Sequence, residues 1–497
     1  MKIFNLFSKY SYSNIFFIFF TTLYFVYRFS IIFSYEPELT NGESNNIWNA
    51  INVSHGKEMY SNPEALPLEV YQYTPLAQLP VIGFASVFND KSPSYIYNIT
   101  VSGRLMEFVF NLISFSFLFF ICFRFLLMSK QYSYLTSLLS LVLLTPTAFT
   151  IRPDALSLVF ILSTIYLFLD YNSGNKSIVR LLFISCWISI SFFVKQDTVF
   201  LIFPIGLYFL VLKKWKNLFV FTCSFTLSLI ILLLFTDFYF GNFFIYSITK
   251  GIQNNPSINQ VFSVFDRSFG FFPLHFVLGN SLLFFLLFKN FHIRHSSFYI
   301  VLIFCALYEM LAIVATSKLG SWCNYYTPFV ILSTTIIICF FYENKLQVNK
   351  SIFSTRILFI SCGVIMGVFL FKQVYFYTST FLHYSTYKKQ YYSEYYRSNE
   401  LKEKLQITTK SNVLLLNRIS KNFLATNTIM VNTEYYPISN FNYSKFYFEK
   451  NKPIDYIIFE PTDKTVILYL ISKFNLRINN YKEIDPIGKY TIWKKLI

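Results

Sequence analysis

Charge is scarce in this sequence. Only 13% of its 497 residues are Asp, Glu, Lys or Arg, against 54% hydrophobic, and apolar runs of about 20 residues recur through its first three quarters, each long enough to cross a bilayer core as a helix. That excludes an ordinary water-soluble domain and predicts a polytopic membrane protein. Acidic residues are scarcer than basic ones, 25 against 42, leaving a net charge of +17. In a soluble domain such an excess suggests nucleic acid. Here most Lys and Arg sit in short connections between apolar runs, so the excess reads as membrane topology and no nucleic-acid partner is expected. Cysteine carries no signal: Cys122, Cys186, Cys223, Cys305, Cys323, Cys339 and Cys362 all lie inside or beside apolar runs, without metal-ligand spacing. Residues Asn412–Ile497 lack a carboxylate cluster, a glycine-rich phosphate loop and a nucleophile motif.

The apolar runs fall near residues 13–34, 102–125, 132–150, 155–171, 178–194, 197–212, 217–236, 272–289, 297–316, 323–341 and 354–376, which predicts about eleven spans. The first is long, ends in Tyr-Glu-Pro rather than at a small-residue cleavage site, and is followed by further runs; it is expected to be a retained helix and not a signal peptide. Basic connections at Lys2/Lys9, Arg124/Lys130, Lys176/Arg180, Lys213/Lys214/Lys216, Lys289/Arg294 and Lys345/Lys350/Arg356 alternate with the runs. All can be cytoplasmic together, provided the roughly 13-residue piece Leu76–Phe88 lies on the membrane surface instead of crossing. The amino terminus is then cytoplasmic in a multi-pass cell-membrane protein, and residues 35–101 form the first outer loop. Within it, Glu43 opens an expected interfacial helix ended by Gly56, with Ile47, Trp48 and Ile51 on one face and Asn45, Asn49 and Asn52 turned elsewhere. Beyond the transmembrane domain, residues 1–376, the composition changes. Tyr377–Gln406 has helical character, and the short apolar stretches NVLLL, TIMV, IDYIIF and YTIWKK read as strands. Residues 377–497 are expected to form a small extracytoplasmic α/β domain.

This topology sorts the polar residues at span ends by side, and the unusual ones share the outer face. They are Glu43 and Tyr73 in the first loop, Arg104 in the second span, Arg152-Pro153-Asp154 opening the fourth, Lys195-Gln196-Asp197 between the fifth and sixth, and Lys318–Tyr326 before the tenth. Each has a bland reading. Pro153 and Asp154 suit a first helical turn, Arg28, Lys195 and Arg104 can snorkel to headgroups, and Tyr325 and Tyr326 suit an aromatic belt. Together they match another chemistry: transfer of a sugar from a lipid phosphate needs cations for the phosphate, a carboxylate to deprotonate the acceptor, and an apolar groove.

The order of these motifs carries a resemblance. Gly42-Glu43, Gly56–Tyr60, Tyr73–Leu76, Gly103-Arg104, Arg152–Leu156, Lys195-Gln196 and Asn324–Tyr326 together resemble the GT-C membrane glycosyltransferases, in the bacterial branch related to aminoarabinose and mannosyl transferases that use polyprenyl-phosphate sugars. The resemblance covers about residues 10–340. It implies an inverting transfer to a glycan, lipid or protein acceptor in the bilayer, with Glu43 as base, Arg104, Arg152, Lys195 and Tyr73 on the donor and its phosphate, and Asp154, Gln196, Asn324 and Tyr325 shaping the site. Family members often carry an acidic pair in the first loop, whereas here one acid stands there, with Glu36 and Glu38 nearby. With no second acidic pair and no histidine cluster, neither a metal nor another cofactor is predicted.

Other classes remain open. A transporter or flippase places ionisable residues near the midplane of broken helices, where most of these spans are apolar. A lipid-linked polysaccharide polymerase or ligase would share the substrate and face, and the loop 237–271 keeps it in play. A non-catalytic scaffold leaves the one-sided polar set unexplained.

Overall fold

The computed structural model describes residues 12–36, 39, 42–61, 71, 73–144, 147–174, 176–251, 256–288, 296–318, 321–348, 352–376, 382–407, 411–416, 454–473 and 476–496. Its first three quarters form a helical bundle. The long helices are α1 (Tyr12–Ile32), α4 (Tyr95–Phe120, extended by a π-turn to Phe125), α6 (Asp154–Ser173), α9 (Trp215–Tyr239), α13 (Ser296–Thr316), α14 (Thr327–Val348) and α15 (Ile352–Phe376). Seven helical segments are long and apolar enough to span a membrane; after the short α10 (Phe244–Gly251), an eighth span results if α11 (Ile258–Phe271) and the bent segment His275–Phe285, which leads into α12 (Asn280–Phe288), count as one. That pair turns by 101° across Pro273 and the π-turn His275–Gly279, the two usual causes of a helix break. The remaining expected runs fold as shorter apolar helices, α5 (Lys130–Leu143), α7 (Ile178–Phe192), and a 3-10 turn Gln196–Leu201 leading into α8 (Ile202–Val211).

The bundle is apolar on its outer surface as well as in its core. Helix α9 buries 11% of its most apolar window and exposes Phe219, Leu227, Ile231 and Leu234, whereas α6 buries 72% and is the central helix. Exposed apolar surface of this kind is stable only against lipid. Helices α7 and α9 are tied by hydroxyls a turn apart: Ser185 and Ser189 donate to the Phe221 and Phe225 carbonyls at 3.2 and 3.1 Å, small polar residues acting as interhelical glue.

Several expectations change. Helix α4 starts at Tyr95, seven residues ahead of the apolar run, because Tyr95, Ile96 and Ile99 are buried with first-loop and tail residues instead of facing lipid. Arg28 does not snorkel: it is 1% exposed, its guanidinium near the Phe108 and Phe149 rings at 5.8 and 5.9 Å. Glu107 and Asn111 are buried within α4, so the centre of that span is less apolar than expected.

The first loop contributes α2 (Glu43–Ser54), flanked by Gly42 and Gly56 at positive φ, and α3 (Leu79–Val87). Helix α2 is no surface helix: Asn49 and Asn52 are as buried as Ile47, Trp48 and Ile51, Asn46 with them, and only Asn45 of the expected polar face stays half-buried. The tail supplies α16 (Tyr384–Leu405) and a four-stranded sheet ordered β1 (Val413–Leu416), β2 (Tyr456–Phe459), β4 (Tyr490–Lys495) and β3 (Tyr481–Ile487), with β1 and β2 parallel and the rest antiparallel. The expected strand TIMV lies outside the described residues. Strand β3 was not anticipated. It is an edge strand whose Pro486 falls at a register break and whose Lys, Glu and Asp hide the alternation. One apolar cluster joins Ile47, Trp48 and Tyr95 to Tyr391, Leu401, Val413 and Ile492, and the Tyr391 hydroxyl bridges the Tyr97 N–H and the Pro93 carbonyl. The tail is thus docked on the first loop.

Candidate active site at one end of the bundle

The site is built outward from Ile151, just before α6. Its N–H donates to Glu43 Oε1 at 3.3 Å and its carbonyl accepts from Asn46 Nδ2 at 2.6 Å, so α2 holds both backbone groups of this residue. Glu43 is itself clamped. Arg104 donates from Nε to Oε1 at 2.9 Å and from Nη2 to Oε2 at 2.7 Å, and Leu39 N–H adds 3.2 Å. The rest of the guanidinium meets Ser34 Oγ and the Glu36 carbonyl. Both side chains are 0% exposed. Two charges taken wholly out of water need this bidentate pairing, because either alone would be prohibitively costly. Gly103 makes room: a Cβ there would lie 2.6 Å from Ile151 Cδ1.

With Ile151 fixed, Arg152, Pro153 and Asp154 turn into α6. Asp154 is the hub. Lys195 Nζ lies 3.0 Å from its Oδ1, Asn324 Nδ2 donates to the same oxygen at 2.7 Å, and Arg152 Nε is 3.2 Å from Oδ2. Lys195 sits in extended backbone between α7 and the 3-10 turn, its carbonyl accepting from Thr198 Oγ1. Its ammonium also meets Asp197 Oδ2 at 2.8 Å and lies 4.7 Å from the centre of the Tyr325 ring. Burial alone would lower the Lys195 pKa, but the Asp197 and Asp154 carboxylates outweigh it and hold the ammonium above its ordinary range. Two carboxylates thus face two cations.

A small cavity of about 20 Å³, room for about one water molecule, opens against this cluster. Asp154, Lys195, Asp197, Asn324 and Tyr325 form its polar side. Leu158, Ile161, Leu311 and Ala312 form an apolar wall, with Tyr308 among them. Ile161 lies two helical turns beyond Asp154, so these lining residues span about 10 Å along the bundle.

The structure therefore gathers Arg152, Asp154, Lys195, Asn324 and Tyr325, with half-buried Gln196 at the next position. It keeps Glu43 and Arg104 apart as a closed pair, joined to the cluster through Ile151. Half-buried Tyr73 packs with Tyr71 and the Met59, Tyr60 and Phe244 cluster and does not line the cavity. Lys195 and Arg104 are buried, not snorkelling. Glu38 lies outside the described residues. Three residues without an assigned role emerge: Asn46, which the sequence does not single out; Asp197, named only as the end of Lys195-Gln196-Asp197; and Tyr308, inside an apolar run. Among the described residues no three His, Cys, Asp or Glu side chains are placed to hold a metal ion, and the Lys195 ammonium already bridges the two cavity carboxylates.

This bundle, with buried ion pairs and a half-polar cavity at one end, has counterparts among known proteins. Residues 96–239, under a third of the chain, match the family model of the dolichyl-phosphate-mannose-protein mannosyltransferases. The fold of the chain is similar to that of ArnT from Cupriavidus metallidurans. The structure of ArnT bound to undecaprenyl phosphate aligns with a TM-score of 0.60 at 10% identity over 96% of this chain and 97% of that one, and the apo structure with 0.55 over the same shares. A search of the curated proteins found no match.

Proposed function

We propose that the protein transfers one sugar from a polyprenyl-phosphate carrier to an acceptor hydroxyl at the outer face of the membrane, in a single inverting displacement. The observation that carries this reading is the buried Asp154–Lys195–Asp197 cluster lining a cavity with an apolar wall, in a bundle shared with a protein solved with undecaprenyl phosphate. The acceptor oxygen forms a bond to the anomeric carbon as the bond from that carbon to the phosphate oxygen breaks. The acceptor proton passes to a carboxylate and the polyprenyl phosphate leaves.

Asp154 is the carboxylate this arrangement favours as base, because it borders the cavity and is held in place by Lys195, Arg152 and Asn324. Glu43 is the second reading. It is favoured by its link to the same backbone through Ile151 N–H, but it is 0% exposed and does not border the cavity, so it acts only after Arg104 exchanges it for the donor phosphate. Sugar transfer in proteoliposomes from a panel of radiolabelled polyprenyl-phosphate sugars separates the two. Asp154→Asn is expected to lose about a hundredfold or more, the usual scale for a general base. Full activity in Asp154→Asn with collapse in a folded Glu43→Gln would move the base to Glu43. Absence of transfer by folded wild type from every donor would overturn the reading.

A further inference from the structure

Beneath the Glu43–Arg104 pair lie two further buried charges. Glu107 stands three residues beyond Arg104 on α4, about 4.5 Å deeper along the helix, and Arg28 of α1 lies over the ring of Phe108, the next residue. Helix α4 meets the chain before α6 at two points: Gly103 against the Ile151 side chain, and Asn111 Nδ2 donating to the Ala148 carbonyl at 2.6 Å. Glu107 falls midway between them on the same face. The charged groups that bear most on it are Asp154, Arg28 and then Glu43, so it neighbours both carboxylates that can serve as base.

Neither charge is answered within the protein. Among the described residues Arg28 and Glu107 form no ion pair, and Arg28 Nε, Arg28 Nη2 and Glu107 Oε2 are buried without a hydrogen-bond partner; Asn111 Oδ1 and Ser114 Oγ continue the row deeper along α4. At 1% and 4% exposed, two such groups are too costly to bury dry. Guanidinium donors beside a carboxylate acceptor are the partners a buried water requires. Other ligands fit poorly: Arg28 is packed against the Phe108 and Phe149 rings, below a closed ion pair, and each charge repels the ion that would suit the other. Asp154 Oδ2 also lacks a directed hydrogen bond, although Arg152 Nε stands 3.2 Å away.

Whichever carboxylate takes the acceptor proton is enclosed, since Glu43 is 0% exposed and the cavity at Asp154 has room for about one water. A proton left there cancels the charge that the neighbouring cations require, and it remains in place to protonate the glycosidic oxygen and reverse the transfer. We propose that Glu107 takes this proton from the base through buried water and holds it until the products have left. The assignment rests on the transferase reading and holds for either base. One proton moves from the base carboxyl to the Glu107 carboxylate, the total charge of the site is unchanged, and after product release the proton returns by the same water to solvent entering the site.

The test is rapid-quench sugar transfer by the full chain in proteoliposomes, with the polyprenyl-phosphate sugar from the panel that transfers best. In Glu107→Gln the first turnover is expected within about twofold of wild type and later turnovers about tenfold slower or more, giving a burst of about one product per enzyme. The steady-state rate should also acquire a larger solvent deuterium isotope effect than that of wild type. A merely structural role would move neither readout selectively. Because Glu107→Gln leaves Arg28 unanswered, the neutral double variant Arg28→Met/Glu107→Gln replaces it where the single one does not fold, with the same burst expected. First and later turnovers slowed equally, or both unchanged, would overturn the assignment while the transferase reading stands. No transfer by wild type from any donor removes both.

Discussion

The two ends of the bundle each hold an aspartate between two cations, one triad open to water and the other buried and joined by Asp197 and Asn324. At one end Asp170 meets Arg124 at 2.8 Å and Arg180 at 3.0 Å, with side chains 25%, 55% and 47% exposed. At the other Asp154 meets Arg152 at 3.2 Å and Lys195 at 3.0 Å, with side chains 6%, 17% and 10% exposed. The first triad is solvated and screened, as connections on the basic side of a membrane protein commonly are. The second has lost its water, so every charge must be answered by another charge or a directed hydrogen bond. Residue types alone do not distinguish a topology signal from a site; desolvation does. Glu43 and Arg104 extend the contrast to full burial.

The largest effect is expected where burial is complete. Arg104→Met leaves the Glu43 carboxylate without its counter-ion inside the protein and should cost about 3–5 kcal/mol, the scale for breaking a buried pair. Glu43→Gln should cost about as much, since it leaves the buried Arg104 guanidinium uncompensated and sets an amide NH2 against two donors, Arg104 Nη2 and the Leu39 N–H. Thermal unfolding in detergent micelles checks both. An Arg104→Met melting temperature equal to wild type would mean that water reaches the pair, and the contrast between the two ends would lose its basis.

Lys195 sharpens the comparison through pH. Its pKa is raised, so its contribution to stability is complete below the ordinary lysine value of 10.5 and is lost only as pH climbs through the still higher folded value. The stability difference between wild type and Lys195→Met, expected to be about 3 kcal/mol, should therefore stay flat from pH 6 to pH 9.5 when melts are recorded across that range. A difference that shrinks over this interval would show the ammonium deprotonating early, which the two carboxylates should prevent.

Much of the site was legible in the sequence because topology is written in charge. Once basic loops are assigned to one side, Arg104, Arg152, Asp154, Lys195 and Asn324 fall together on the other, and the structure joins them through Ile151. What sequence position does not reveal is who pairs with whom. Arg104 resembled a phosphate ligand and is spent on Glu43; Lys195 resembled another and is spent on Asp154 and Asp197. The asparagines of α2 looked turned away from the apolar face because periodicity assumes one buried side, whereas the docked tail, α4 and the chain at Ile151 surround this helix. Tyr308 was invisible because a tyrosine in an apolar run is ordinarily packing. Only the cavity beside its unpaired hydroxyl sets it apart.

The smallest effect should come from Asp170, although its distances to two arginines are the shorter ones. Asp170→Asn removes the charge that answers Arg124 and Arg180, yet both guanidiniums keep access to water, and Arg124 also retains the Tyr166 hydroxyl at 2.8 Å. Exposed pairs contribute about 0–1 kcal/mol and less as salt rises, so unfolding should shift by under about 1 kcal/mol and sugar transfer should remain unchanged. Measured beside Arg104→Met under the same detergent and salt, this variant isolates burial as the variable, since both substitutions remove one member of a close ion pair. A loss at Asp170 as large as that at Arg104 would mean that this end is held by its ion pairs as tightly as the site end, and that exposure to water is not what separates them.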